Sequence, residues 1–226
     1  MQLRSNTYWV LRHGRSKANE AAIIVSSLEN GVRREYALAE AGRQQAADAG
    51  RAFAAELRAA GFSPGDVVIY ASPFSRTLET AQIAAAAAGV GAGQLQVAPE
   101  LRERFFGAAL ELTSHDNYCP AWDADARDHG ARPGGDGESV RDVVGRVAAL
   151  LEELERRHSG RAVLLVSHGD TLSITQAAVG GGDLRAHRQH GLGTAELRRL
   201  PGQSGGGAAG AEAAAATAAK ATVAAR

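Results

Sequence analysis

Tyr8-Trp9-Val10-Leu11-Arg12-His13-Gly14 and Val163-Leu164-Leu165-Val166-Ser167-His168-Gly169 share one design, a short apolar run that stops at a His-Gly pair. Such runs read as buried strands that open into a loop. A third run, Val67-Val68-Ile69-Tyr70, is β-branched in the manner of parallel sheets and leads into Ala71-Ser72-Pro73, with Arg76 just beyond. Ser72 suits a helix N-cap and Pro73 the first helical position, so a helix is expected from about Phe74 to Ala87. Ligands of parallel α/β sheets bind at the C-terminal ends of the strands. Three polar strand ends thus direct His13, His168 and Arg76 toward one candidate pocket.

Outward from these runs, strands and helices alternate. Leu38 to Ala60 places Leu38, Ala46, Ala49, Phe53 and Leu57 near one helical face, and Gly61 and Pro64-Gly65 break it. Gln96 to Ala98 is a short third strand. Leu101 to Pro133 mixes aromatics, proline, glycine and charge and reads as an irregular insertion. After the Pro133–Gly137 turn, Ser139 is an N-cap for the amphipathic series Val140, Val143, Val144, Val147, Leu151 and Leu154. Thr171 to Val179 should be helical, and Ala195 to Leu200 an edge strand. The alternation predicts an α/β fold, a three-layer α/β/α domain with a mostly parallel central sheet. From residue 202 to 226 the chain is nearly all Ala and Gly and reads as a disordered tail, with a marginal alanine-rich helix between Glu212 and Arg226.

The bulk numbers narrow the function. Among 226 residues, 25 Lys plus Arg balance 25 Asp plus Glu, so no global field favours nucleic acid or an anionic membrane. Aromatics are 5% and form no basic, aromatic-interleaved stripe. Cys119 is the only cysteine, which excludes an intrachain disulfide and a cysteine zinc site. No run reaches the roughly 20 apolar residues of a membrane span. Met1 to Tyr8 lacks the apolar core of a secretory signal. A cytoplasmic location is the expectation, with a plastid left open.

The strand ends carry the chemistry. Arg12 and Arg76 each offer a planar fork for two phosphate oxygens. Gly14 and Gly169 let backbone N–H groups approach an anion. Singly these features are ordinary, since a loop histidine after a strand and a solvated helix arginine are both common. Together, two Arg, two His and several N–H donors suit a dianionic phosphoryl group.

On these residues the chain resembles the histidine phosphatase superfamily, the phosphoglycerate mutase-like proteins. The matching segments are Leu11-Arg12-His13-Gly14-Arg15-Ser16 with Asn19, Ser72-Pro73-Phe74-Ser75-Arg76-Thr77 with Thr80-Ala81, Leu101-Arg102-Glu103-Arg104 with Gly107, Gly137-Glu138-Ser139, and Ser167-His168-Gly169. They cover about residues 7–200 in order, and the domain is expected over residues 1–201. Ile24 to Gly31 and Leu101 to Asp116 look most like plant and algal members. The resemblance implies a metal-independent phosphatase in which His13 attacks phosphorus, while Arg12, Arg76 and His168 stabilise the equatorial oxygens. Asn19 would add a hydrogen bond to phosphate and Glu103 would be the general acid. Glu138 would line the pocket or only favour a helix start. No cofactor and no metal is implied.

The family also contains mutases. Those usually read Gly-Ala-Leu-Gln-Gly where this chain has Gly107-Ala108-Ala109-Leu110-Glu111, so the resemblance favours a phosphatase. A mutase-type phosphotransferase and a non-catalytic phospho-ligand-binding domain are the alternatives. Arg15, where Glu or Gln is common, together with Lys17, Arg102, Arg104 and Arg132, suggests a second anionic group on the substrate. A small phosphorylated metabolite is the expected partner. The sequence leaves a homodimer open.

Overall fold

The two His-Gly runs become neighbours in one sheet. The computed structural model describes Leu3 and residues 5–202, so the tail expected from residue 202 lies, past Gly202, outside the described residues. The sheet contains β1 (Thr7–Arg12), β2 (Val67–Ala71), β3 (Leu95–Val97), β4 (Ala162–Ser167) and β5 (Leu197–Arg199). Its order is β3-β2-β4-β1-β5. All pairings are parallel except that of β5, which runs antiparallel to β1 at the edge. Arg12 lies opposite Ser167 in the β1–β4 register, so the two His-Gly pairs leave the sheet side by side.

The helices are α1 (Lys17–Glu20), α2 (Leu28–Gly31), α3 (Glu40–Ala59), α4 (Ser75–Ala87), α5 (Tyr118–Arg127), α6 (Val140–Arg157) and α7 (Gly169–Val179). Strand side chains alternate between faces, and two cores follow. Tyr8, Val10, Val163 and Leu165 pack with Val143, Val147, Leu151 and Leu154 of α6. Trp9, Leu11, Leu164 and Val166 pack with Phe53 and Leu57 of α3 and Ala81 and Ala84 of α4. Helices on both faces cover a sheet whose β4 is buried along its whole length. Each such Leu or Val contributes about 1.5–3 kcal/mol. The three-layer α/β/α reading therefore holds.

Two local expectations are corrected. The helix after β2 starts at Ser75 with Phe74 as its N-cap, not at Ser72-Pro73. Ser72 still belongs to the strand end: its N–H donates to the Val166 carbonyl at 3.0 Å. The stretch from Leu101 to Pro133 is not wholly irregular, since it contains α5. No helix among the described residues is long and apolar enough to cross a membrane.

Candidate active site

The strand ends open into a cavity of about 360 Å³ lined by Arg12, His13, Asn19, Arg76, Glu103 and Gly169, among others. His13 follows β1, and its backbone N–H donates to the Ser167 carbonyl at 3.0 Å. His168 is the N-cap residue of α7. The two imidazoles meet edge-on, with ring centroids 5.2 Å apart.

The tautomer of His13 follows from its partners. Its Nδ1 lies 2.8 Å from the Gly14 carbonyl, which can only accept, so Nδ1 carries the proton. Nε2 is left with its lone pair, and Arg76 Nε donates to it at 3.2 Å. Burial pushes the His13 pKa well below its ordinary value, and the positive charges of Arg76 and Arg12 push the same way. The ring is therefore neutral. For His168, burial is again the first cause of a lowered pKa, followed by Arg76 and His13. Its Nε2 pairs with Ser72 Oγ at 2.8 Å. Ser72 Oγ also accepts from the Phe74 N–H at 3.3 Å, and among the described residues its own proton has no acceptor other than Nε2, the tautomer in which His168 Nδ1 is a donor.

Among the described residues, several buried donors around this pair have no hydrogen-bond partner: Arg12 Nε, Arg76 Nη1 and His168 Nδ1. One other nitrogen of each guanidinium is tied to the backbone, Arg12 Nη1 to the Leu192 carbonyl at 2.6 Å and Arg76 Nη2 to the Val25 carbonyl at 2.9 Å. Desolvation lowers Arg76 to about 10, so it keeps its charge at neutral pH. Asn19 is the N3 residue of a capping box with Ser16. Its Oδ1 accepts from Ser16 N at 3.0 Å, which identifies the other amide atom as the nitrogen and leaves that donor for the cavity. Glu103 is buried, and its Oε1 accepts from Arg104 N at 2.9 Å and Thr171 N at 3.2 Å. Burial raises its pKa, with Asp170 adding to the effect and Arg76 opposing it. A neutral imidazole, guanidinium nitrogens without partners among the described residues, and a carboxyl with a raised pKa share one pocket.

Most of the other expected site residues are engaged outside the cavity. The Gly14 N–H donates to Thr80 Oγ1 at 3.1 Å and is not offered to an anion. The glycine is needed for close approach: a Cβ there would lie 2.4 Å from the Gly42 carbonyl oxygen. Gly14→Ala is expected to cost about 1–3 kcal/mol of stability, read as a lower urea midpoint. Gly169 lines the cavity and makes room for Arg12, whose Cζ would lie 3.3 Å from an added Cβ. Arg15 is outside the cavity, exposed and 3.8 Å from Glu20. Glu138 is not part of the lining; it accepts from Arg102 Nη2 at 2.5 Å and Arg146 Nε at 3.0 Å. Arg104 is paired with Asp125, and Arg132 with Asp142. Neither these two nor Lys17 reaches the cavity wall, so the basic cluster expected to hold a second anion does not assemble.

The wall also includes residues that carried no motif. Tyr118, Trp122, His115 and Phe106 come from the insertion, and Arg188 from a 3₁₀ segment after α7. Asp170, in the first turn of α7, is a hub. It accepts from Trp122 Nε1 and Arg188 Nη1, each at 3.1 Å, and from Arg104 Nη1 at 3.2 Å. Asp125, Asp170 and His187 lie close enough to hold a metal ion. The Arg104 guanidinium, bonded to Asp125 Oδ2 at 2.5 Å and Oδ1 at 2.8 Å, already supplies the cation there. The i, i+4 spacing of Tyr118 and Trp122 was the one sequence signal for this wall; Arg188 offered none.

A parallel sheet thus carries two histidines, two arginines and a carboxyl around one cavity at its strand ends. The chain belongs to the histidine phosphatase superfamily (branch 1), whose family model matches residues 8–211. It is 29% identical over 171 residues to phosphoglycerate mutase-like protein 4 of Arabidopsis thaliana; the match covers 72% of this chain and 66% of that protein, just under two thirds. A mycobacterial glucosyl-3-phosphoglycerate phosphatase complexed with VO3 is similar at a TM-score of 0.70 and 26% identity, over 88% of this chain and 92% of that one. The phosphoserine phosphatase of Entamoeba histolytica, in complex with 3-phosphoglyceric acid, shares the fold at a TM-score of 0.67 and 20% identity, over 86% and 89% of the two chains.

Proposed function

We propose that the chain is a phosphoric monoester hydrolase that needs no metal and acts on a small phosphorylated metabolite through a phosphohistidine on His13. The observation that carries this is the His13 Nε2 lone pair, held by Arg76 Nε in a pocket with unpaired donors on Arg12, Arg76 and His168. Nε2 attacks phosphorus in line, and the P–O bond to the alcohol breaks. The leaving oxygen takes the proton of the Glu103 carboxyl. Glu103, now a carboxylate, removes a proton from water, which attacks the phosphohistidine and frees orthophosphate and neutral His13. Arg12, Arg76, His168 and Asn19 bind the phosphoryl oxygens throughout, and the two guanidinium groups supply the positive charge a metal would otherwise bring.

Turnover of 4-nitrophenyl phosphate in excess EDTA, with acid-labile, base-stable phosphate trapped on the protein by rapid quench, is the test. Turnover lost in EDTA and restored by a metal would overturn the metal-independent reading. The name of the Arabidopsis relative favours a mutase reading, and a panel of phosphoserine, 2- and 3-phosphoglycerate and fructose bisphosphate separates the two. Interconversion of the phosphoglycerates faster than phosphate release would make it a mutase. Orthophosphate binding with no turnover of any member would make it a binding domain.

The pH profile follows from the shifts. His13 must be neutral, and its lowered pKa lets kcat/KM hold on the acid side of the ordinary histidine value. Glu103 must begin protonated, and its raised pKa carries the alkaline limb above the ordinary carboxyl range. Glu103→Gln is expected to lower kcat by roughly 10²–10⁴ for an alkyl phosphate and to erase the alkaline limb. A 4-nitrophenyl leaving group needs little protonation and should lose far less. Equal losses for both substrates would remove Glu103 from the role of acid.

A further inference from the structure

We propose that the Tyr118 hydroxyl is a phosphate-binding group of this cavity, donating a hydrogen bond to a phosphoryl oxygen alongside Arg12 and Arg76. It rests on the phosphatase reading for its effect on turnover but not for its effect on binding. Tyr118 is the first residue of α5, and its side chain lines the same cavity as His13, Arg12, Arg76 and Glu103.

The ring is clamped. It stacks on Trp122 with centroids 5.1 Å apart and planes at 11°. Phe106 meets it edge-on at 4.7 Å, and His115 lies 5.4 Å away. Trp122 is fixed in turn by its bond to Asp170 and by the Arg188 guanidinium, 3.7 Å from its ring centroid. A side chain held this way places its hydroxyl with little rotamer freedom left to lose, which is the condition for a preorganised donor.

Among the described residues the hydroxyl has no hydrogen-bond partner, whereas the Trp122 indole N–H and Arg188 Nη1 in the same wall both donate to Asp170. It shares its cavity with the groups expected at the phosphoryl end, Arg12, His13 and Arg76. Burial, then Glu103, raises its pKa, and Arg76 and Arg12 oppose that shift. The same hydroxyl appears in turn among the charges felt by Arg12 and Arg76. A phenol with a raised pKa stays protonated over the working range and can donate. Phe106, its neighbour on the Glu103 segment, has no polar side-chain atom to offer.

The alternative is that Tyr118 only packs, as its contact with the small apolar cluster around Ile24, Phe106 and Ala121 would allow. Tyr118→Phe separates the two, because it keeps the ring and its stacking and removes only the oxygen. Orthophosphate binding by calorimetry should weaken roughly tenfold, the scale of a hydrogen bond to a charged acceptor, with Tm unchanged. In the wild-type protein orthophosphate should perturb the near-ultraviolet tyrosine difference spectrum, and the variant should lose that signal. This second readout judges the hydroxyl even if the variant is less stable. Unchanged phosphate affinity in Tyr118→Phe, or no phosphate-induced tyrosine signal in the wild type, would overturn the proposal. Phosphate binding that responds to Tyr118→Phe in a protein with no turnover would retain it and reject the phosphatase reading instead.

Discussion

Replacing His13 by alanine is expected to lower kcat by at least about 10⁴-fold, because the nucleophile itself is removed. The loss should fall on kcat and not on phosphate affinity. Arg12 Nε, Arg76 Nη1 and His168 Nδ1 stay in place, and Arg76 Nε, which now donates to His13 Nε2, is released as one more donor. Orthophosphate should thus bind the variant within a few-fold of the wild type while no phosphoenzyme forms. Turnover within tenfold of the wild type would place the nucleophile elsewhere. His168 could not easily take over, since its Nε2 is engaged by Ser72 at 2.8 Å and its Nδ1 carries a proton.

The same substitution changes the pH dependence of stability, and the sign follows from the direction of the shift. The folded His13 pKa is depressed, so below its ordinary value the unfolded chain takes up a proton that the folded chain refuses. Wild-type stability falls as the pH drops through that window. His13→Ala removes this term and should flatten the acid side of the unfolding profile.

How much of this was legible in the sequence differs by element. The strands were, because apolar runs closed by polar loop residues have few other readings. So was α6, whose apolar stripe recurs over its whole length. The groups at the strand ends could be nominated from one chain because a sheet puts consecutive strand ends on one side, and the family resemblance added Glu103 and Asn19. What failed needed long-range contacts. Ser72 reads locally as an N-cap, but its N–H and hydroxyl are drawn to Val166 on the neighbouring strand and to His168 just beyond that strand's end. Gly14 looks like an anion cradle, yet its N–H is taken by Thr80 of α4. Glu138 and Arg15 have charge at plausible positions and partners that no spacing reveals. Short helices such as α1 and α2 have too few residues to show a period. In α5, Pro120 hid a helix whose first turn tolerates it.

The largest stability effect is expected at Arg104, which the sequence placed in a basic cluster for a second anionic group. Its guanidinium is fully buried, bonded to both oxygens of Asp125, to Asp170 at 3.2 Å and, through Nε, to the Glu138 carbonyl at 2.8 Å. A buried network of this kind need not favour the fold over an apolar one, but breaking it from one side leaves buried carboxylates unpaired. Arg104→Met should therefore cost about 3–5 kcal/mol. At roughly 2–4 °C per kcal/mol for a chain of this size, Tm should fall by about 6–20 °C. Adding Asp125→Asn should recover part of the loss, since the cost lies in the stranded charge and not in a missing contact. His187 adds a pH signature. Its ring lies 3.9 Å from both Asp125 and Asp170, and in the wild type burial above all keeps its pKa low. Without Arg104 the two carboxylates would raise it. A raised folded pKa contributes stability that is present below the unfolded value and lost as the pH rises through the folded one. The deficit of Arg104→Met should thus be smaller near pH 5.5 than near pH 8, on the scale of about 1 kcal/mol per unit of pKa shift. A variant within about 1 kcal/mol of the wild type at both values would mean that water reaches Asp125 and Asp170, and that the cluster behaves as an exposed pair.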